Sequence, residues 1–173
     1  DVGVKCAWLM RQSHQEHAAH ISQSLLSEHG RTSAGQGLTE EQLGYLKLAV
    51  AESVYLRGNA DHASALVDES RAHFEACGSA RGLSDVLFVQ ASNVGEREGG
   101  GARIALMEES VARAKEADDS ERVNTSSLAL SLFHLFNGNP VSEVGLQDVR
   151  RLARGGTCGE KGLAPVSYTH LRA

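Results

Sequence analysis

The chain has 173 residues, of which 41% are hydrophobic and 23% charged, and its formal net charge is −5. This composition is that of a folded domain and excludes a wholly disordered chain, and the negative charge argues against a nucleic-acid-binding protein. Only 5% of the residues are aromatic and two are proline, which favours helices over an all-β sandwich. No apolar stretch is long enough to cross a membrane, so we expect no membrane partner.

The cysteines indicate the compartment. Cys6, Cys77 and Cys158 are odd in number, lie far apart and form no CxxC pair. We therefore expect no disulfide framework and a reducing, cytoplasmic location.

The N-terminal part of the chain predicts two short helices. They cover Val4–Met10 and Ala18–His29 and are followed by a glycine-containing loop, 30–37. We interpret residues 1–38 as an incomplete helical unit that ends in this loop.

A pair of longer helices follows. Between residues 40 and 57, apolar residues recur at spacings of three and four, which is typical of one helical face. Thr39 and Gln42 match a capping box at the start of this helix. Gly58 permits a left-handed turn, and Asn59 can cap a second helix over 60–76. The residues of the second helix that we expect to point inward are Ala63, Leu66, Val67, Ser70 and Phe74.

The same pattern returns forty residues later. Ala65–Ser70 is similar to Ala105–Ser110, and Gly58-Asn59 reappears after two such intervals as Gly138-Asn139. This period predicts three repeats of two helices each, at 39–78, 79–118 and 119–154. Their further helices are expected at 81–96, 102–117, 121–136 and 141–152, with Gly99–Gly101 as the turn of the middle repeat and 155–165 as a flexible tail.

The last eight residues have a different character. Val166–Ala173 resembles the translation of a transposase-type sequencing adapter, whose reading frame requires a preceding codon ending in CT, and Pro165 meets that requirement. We therefore expect this segment to be of non-biological origin and the chain to be a fragment of a longer protein.

The repeats resemble the tetratricopeptide-like repeats of about forty residues found in bacterial signalling proteins and kinesin light chains. The resemblance rests on the Gly-Asn turns and on a register of small residues forty apart, Ala51, Ala91 and Ser131. The middle repeat departs from the pattern, with Glu98-Gly99 at the turn position. The resemblance implies an all-α fold, a right-handed superhelical stack of antiparallel helix pairs with a concave face.

The resemblance also implies a function. A concave face of this kind makes the chain a non-catalytic protein–protein interaction module that holds a peptide or partner segment. Because several residues at the groove positions are acidic, we expect the bound segment of the partner to be basic. Apolar residues at the end of the repeat stack, where no further repeat covers them, predict self-association of the chain. The groove residues that the resemblance implies are Tyr45, Glu52, Tyr55, Asp85, Phe88, Ser92, Glu96, Thr125, Leu128 and Leu132.

An alternative function remains open. Gly78–Gly82 with Asp85–Leu87 is similar to repeat regions joined to bacterial diguanylate cyclases or transcriptional regulators, and Asp1–Cys6 to units attached to class III adenylate cyclases. This similarity implies the sensory or regulatory region of a multidomain signalling protein. The chain itself contains no GG[DE]EF signature.

Three sequence patterns contain residue types found in metal, phosphate-binding or catalytic sites, but none of them matches such a site in full. The run His14, His17, His20 has metal-ligand residue types, but the third histidine lies about 60° further around a helix and HExxH is absent. Lys161 is followed by Gly162 rather than Ser or Thr, which does not fit a phosphate-binding loop. The acidic pairs at 108–109 and 118–119 accompany no nucleophile. We expect no catalysis, metal or cofactor, and we assign the basic cluster Arg150, Arg151 and Arg154 to a helix end rather than to nucleic acid.

Overall fold

A computed structural model describes residues 2–31, 37–93, 100–139 and 147. These residues form helices joined by turns and contain no strand, which confirms the all-α prediction. Within the described ranges the helices are α1 (Val2–Met10), α2 (Gln15–His29), α3 (Glu40–Leu56), α4 (Ala60–Cys77), α5 (Ala80–Asn93), α6 (Gly100–Glu116) and α7 (Ser120–Phe136). None of them is long and apolar enough to traverse a lipid bilayer.

The helix starts follow the predicted forty-residue period. The helices α3, α5 and α7 begin at residues 40, 80 and 120, and α4 and α6 begin at residues 60 and 100. One predicted turn is wrong: α6 begins at Gly100, so Gly100 and Gly101 lie in its first turn rather than in the connection before it. The second helix of the third repeat, predicted at 141–152, lies outside the described residues, as do the tail 155–165 and Val166–Ala173.

One backbone turn recurs at the helix ends. Residues 58, 78, 118 and 138 have positive φ angles of 84°, 67°, 51° and 69°. In each case the next residue donates its N–H to a carbonyl five residues earlier, such as Asn59 to Val54 at 3.3 Å and Asp119 to Ala114 at 3.1 Å. These are Schellman turns, which satisfy the terminal carbonyls of a helix. Position 98, which falls in the same series, is outside the described residues.

The residue after the turn starts the next helix. The side chains of Asn59, Ser79 and Asp119 accept hydrogen bonds from backbone N–H groups three residues later, at 3.2, 3.1 and 3.0 Å. Each satisfies one of the N–H groups that a helix start leaves without a partner. At the start of α3, Thr39 and Gln42 form the predicted capping box. The turn and the cap together determine where each helix ends and the next begins.

The contacts divide the chain into two compact units, Asp1–Asn93 and Val94–Ala173. The first contains α1 to α5 and the second contains α6 and α7. The boundary falls inside the predicted repeat 79–118, because α5 belongs to one unit and α6 to the other.

The core of the first unit is built around Phe74 of α4, which is fully buried. A Cβ atom added to Gly44 of α3 would lie 2.7 Å from the phenyl ring, and one added to Gly82 of α5 would lie 2.1 Å from it. These two glycines therefore let three helices approach the same ring. Ser70, one turn earlier on α4, donates its hydroxyl to the carbonyl of Gly44 at 2.8 Å.

Three buried positions of α4 recur forty residues later in α6 of the second unit, where different side chains occupy two of them. The buried residues Met107, Ser110 and Ala114 of α6 stand forty positions after the buried Val67, Ser70 and Phe74 of α4. The hydroxyl of Ser110 lies 3.0 Å from that of Ser126 on α7, and both residues are buried. In this unit a small side chain, Ala114, occupies the position of the phenyl ring.

Candidate functional site

The predicted groove residues of α3 differ in their surroundings. The ring of Tyr45 is half-buried and packs between two other rings, 4.8 Å from Trp8 and 4.9 Å from Phe74 between centroids. Glu52 forms an ion pair with Arg11. Tyr55 is half-buried near the end of the helix. Only part of this predicted face is therefore open to a partner.

The predicted residues of α5 range from buried to exposed. Asp85 is 3% exposed, Phe88 is half-buried and Ser92 is exposed. The hydroxyl of Ser92 donates to the carbonyl of Phe88 at 2.9 Å. Because α5 packs on α3, the structure brings these residues and the α3 residues into one unit. Glu96 lies outside the described residues.

The predicted residues of α7 belong to the second unit. Leu128 and Leu132 are only 1% and 6% exposed, so their side chains serve packing. Thr125 is half-buried and donates its hydroxyl to the carbonyl of Glu121 at 3.0 Å. The first unit alone therefore supplies the surface considered below.

Glu52, one of the predicted groove residues, is paired with Arg11, the residue that follows α1. Arg11 Nε lies 3.0 Å from Glu52 Oε2, and the two side chains are only 16% and 18% exposed. The guanidinium of Arg11 stacks 3.6 Å above the ring of Trp8 and donates from Nη1 to the Trp8 carbonyl at 2.8 Å. This arrangement joins the end of α1 to the C-terminal half of α3.

Burial governs the protonation of both partners. Loss of solvent raises the pKa of Glu52 above its ordinary value, and the nearby Arg11 only partly offsets that effect. The same loss of solvent lowers the pKa of Arg11, while Glu52 acts in the opposite direction. Glu52 is therefore a buried, paired carboxylate and does not present its charge to a partner.

The first unit also contains a cleft, and Trp8, on which Arg11 stacks, is one of the residues that line it. It has a volume of about 540 Å³ and is formed by α1, the start of α3 and the start of α5. Trp8, Leu9 and Val4 of α1 and Tyr45 of α3 make its apolar wall, and Leu9 is 75% exposed. The polar and charged side chains around the cleft are Lys5, Thr39, Glu41, Gln42 and Arg81.

Of these lining residues, sequence reasoning selected only Tyr45 as functional. It missed Trp8, Lys5 and Arg81, because they lie on three different helices and only the tertiary packing brings them together. One signal was present: Trp8 is the single tryptophan of the chain and adjoins an apolar residue, Leu9, on a short helix.

The other candidate groups of the sequence have local structural roles. His14, His17 and His20 are exposed, and no group of three metal-binding side chains occurs anywhere in the part of the chain that the structure describes. Asp119 caps α7 and Asp118 occupies the turn before it. Glu109 forms an ion pair within α6, with its Oε1 3.7 Å from Nη2 of Arg113. Glu108 is exposed on α6, and Arg150, Arg151 and Arg154 lie outside the described residues.

No family model, no curated protein and no solved structure matches this chain.

Proposed function

We propose that the chain is a tetratricopeptide-like helical-repeat module that binds a partner protein and catalyses no reaction itself. The observation that carries this proposal is the forty-residue period of the helix starts, with the same left-handed turn at residues 58 and 138, two periods apart, and at residues 78 and 118, one period apart. Repeats of this length are typical of stacked helix pairs, in which each pair buries its apolar face against the next.

The surface available to a partner lies on α3 and α5. Tyr55 of α3 is half-buried, and on α5 the half-buried Phe88 and the exposed Ser92 lie one helical turn apart. We propose these three side chains of the two packed helices as the face that a partner contacts. Aromatic side chains of this kind are frequent anchors in protein interfaces. Since Glu52 is paired with Arg11 and Asp85 is buried, attraction of a basic partner would come from the net charge of −5 on the whole chain.

Selection from a random peptide library on the immobilised chain tests this proposal. We expect the selected peptides to bind the wild-type chain and to bind the Ser92→Arg variant about tenfold more weakly, because the arginine covers the face and adds positive charge. Ser92 is exposed, so the substitution preserves the fold. The matched control is Ser64→Arg on the exposed side of α4. Peptides that bind all three proteins equally, or a library without any enriched peptide, would contradict the proposed surface.

A second function is favoured by one observation, the cleft of about 540 Å³ in the first unit. Its volume is in the range of small-molecule sites, as a sensory region of a larger signalling protein would require. In that case the chain would regulate an effector domain, such as a cyclase or a transcriptional regulator, encoded in the same gene. Sequencing the neighbouring DNA distinguishes the two functions, because an adjoining effector domain favours regulation and stand-alone repeats favour a scaffold.

A further inference from the structure

We propose that the cleft between α1, α3 and α5 binds a small carboxylic acid with an apolar body. This site is separate from the α3–α5 face that contains Tyr55, Phe88 and Ser92, and the inference does not depend on the proposed protein-binding function. It rests on the volume, the aromatic wall and the charges of the cleft.

The volume and the wall define the apolar part of the ligand. A cleft of about 540 Å³ lies within the range of small-molecule sites, roughly 300–1,000 Å³. Its wall includes the indole of Trp8, the phenol ring of Tyr45 and the aliphatic side chains of Val4 and Leu9. An aliphatic or aromatic ligand body would cover this surface and remove it from water.

The wall is held in place before any ligand arrives. Arg11 stacks on one side of Trp8 at 3.6 Å, and the ring of Tyr45 is fixed between Trp8 and the fully buried Phe74. Rings that are fixed in this way lose little conformational freedom on binding. The aromatic surface of the cleft is therefore preorganised.

The charges at the cleft favour an anion. Lys5 and Arg81 contribute two positive charges, and Glu41 contributes one negative charge. Glu41 Oε1 accepts a hydrogen bond from the hydroxyl of Ser79 at 3.0 Å, which holds this carboxylate at the start of α5. Lys5 is exposed and forms no ion pair with any described residue, so its ammonium group can meet a carboxylate of the ligand.

The N-terminal ends of two helices, α3 and α5, add partial positive charge at the cleft. Thr39 caps α3 and Arg81 lies in the first turn of α5, and both residues line the cleft. The N-terminal end of a helix carries partial positive charge. A carboxylate that meets the ammonium group of Lys5 would therefore share the cleft with both helix starts, with its apolar body against Trp8.

The fluorescence of Trp8 provides a direct measurement, because it is the only tryptophan of the chain. The full chain is titrated with decanoate, with decanol and with decyltrimethylammonium, each below the concentration at which it aggregates. We expect decanoate to change the Trp8 emission in a saturable manner and to bind about fivefold more tightly than decanol. We expect the cationic ligand to bind most weakly.

Charge reversal at Lys5 tests the role of the carboxylate. The Lys5→Glu variant should bind decanoate about tenfold more weakly, bind decanol as before and bind decyltrimethylammonium more tightly. Lys5 is exposed, so the fold is retained, and unchanged helical circular dichroism verifies this. The matched control is Lys115→Glu on α6, also exposed, which should bind all three ligands as the wild type does.

Several results would overturn the inference. The absence of saturable decanoate binding would do so, and so would equal binding of the three ligands or an unchanged decanoate affinity in Lys5→Glu. None of these outcomes affects the protein-binding proposal, whose test uses Ser92→Arg and selected peptides. The two proposals can therefore fail independently.

Discussion

The forty-residue period includes both the helix pair α3–α4 of the first unit and the pair α6–α7 of the second. The side chains packed between the helices differ between the two pairs. In the first, Phe74 fits between Gly44 and Gly82 and adjoins Tyr45. In the second, Ala114 stands forty residues after Phe74, and a contact between two buried serine hydroxyls joins the helices. Both pairs nevertheless end their helices in the same left-handed turn.

This comparison separates two properties of the repeat. The turns and caps are local and set the length of each helix, so they can recur with little change. The residues at the helix contacts set how strongly each unit is held together, and they vary. We expect the first unit to depend strongly on the ring of Phe74, whereas the second unit has Ala114 at that position and buries Met107, Leu128 and Leu132 instead.

The largest effect should follow from removing the ring. Phe74→Ala should lower the free energy of unfolding of the first unit by about 3–5 kcal/mol, because it leaves a cavity between three helices. Denaturant titration followed by Trp8 fluorescence reports on this unit, whereas circular dichroism reports on both. A loss below about 1 kcal/mol would contradict the central role of Phe74.

The glycine at this contact gives a more specific test. Gly82→Ala places a Cβ atom 2.1 Å from the phenyl ring, so it should destabilise the wild type strongly. In the Phe74→Ala background the clash disappears, and the same substitution should become neutral or stabilising because alanine favours the helix. Equal effects of Gly82→Ala in both backgrounds would show that the two residues do not interact.

The next effect concerns the ion pair that joins α1 to α3. Arg11→Met or Glu52→Leu alone leaves one buried charge without its partner and should lower the free energy of unfolding by about 2–4 kcal/mol. The double variant removes both charges and should recover to within about 1 kcal/mol of the wild type. Denaturant titrations of the four proteins measure this coupling, and strictly additive losses would contradict it.

The same pair predicts a pH dependence. Because the pKa of Glu52 is raised in the folded chain, the folded state binds a proton more readily than the unfolded state does. As the pH rises through the folded pKa of Glu52, the contribution of this residue to stability should fall. The stability of the wild type minus that of Glu52→Gln, measured at a series of pH values, should therefore increase toward acid. A difference that decreases toward acid would show a lowered pKa instead.

The smallest effects should come from the turns. Asp118 is the only non-glycine residue with positive φ among the described residues, at 51°. Asp118→Gly should relieve this strain and raise the free energy of unfolding of the second unit by roughly 0.5–1 kcal/mol. Gly78→Ala should lower that of the first unit by about 1 kcal/mol, since a Cβ there meets no atom within 4 Å and only the backbone conformation opposes it. Thermal unfolding followed by circular dichroism measures both, and shifts of the same sign would contradict the shared turn.

The sequence allowed the helix positions to be predicted because their signals are local. Thr39 with Gln42, Gly58 and Asn59 each act within a few residues, and the structure confirms the capping box, the left-handed turn and the cap. The start of α6 is not predicted correctly, because a run of glycines usually indicates a turn, whereas this helix begins with Gly100 and is held by the packed side chains that follow.

The site was less predictable, because it depends on contacts between distant residues. No local pattern predicts the pairing of Arg11 with Glu52 or the presence of Lys5 and Arg81 at one cleft. A position on a helical face also does not reveal how deeply a side chain is buried. Glu52 and Asp85 were predicted to charge an open groove, and both are largely removed from solvent by neighbouring helices.

The repeated turn is the central structural claim, and backbone NMR measures it most directly. Chemical shifts and three-bond couplings should give positive φ angles at residues 58, 78, 118 and 138, with helical values on both sides of 58, 78 and 118. A helix that continues through residue 118, or a negative φ angle there, would show that the second unit does not repeat the first.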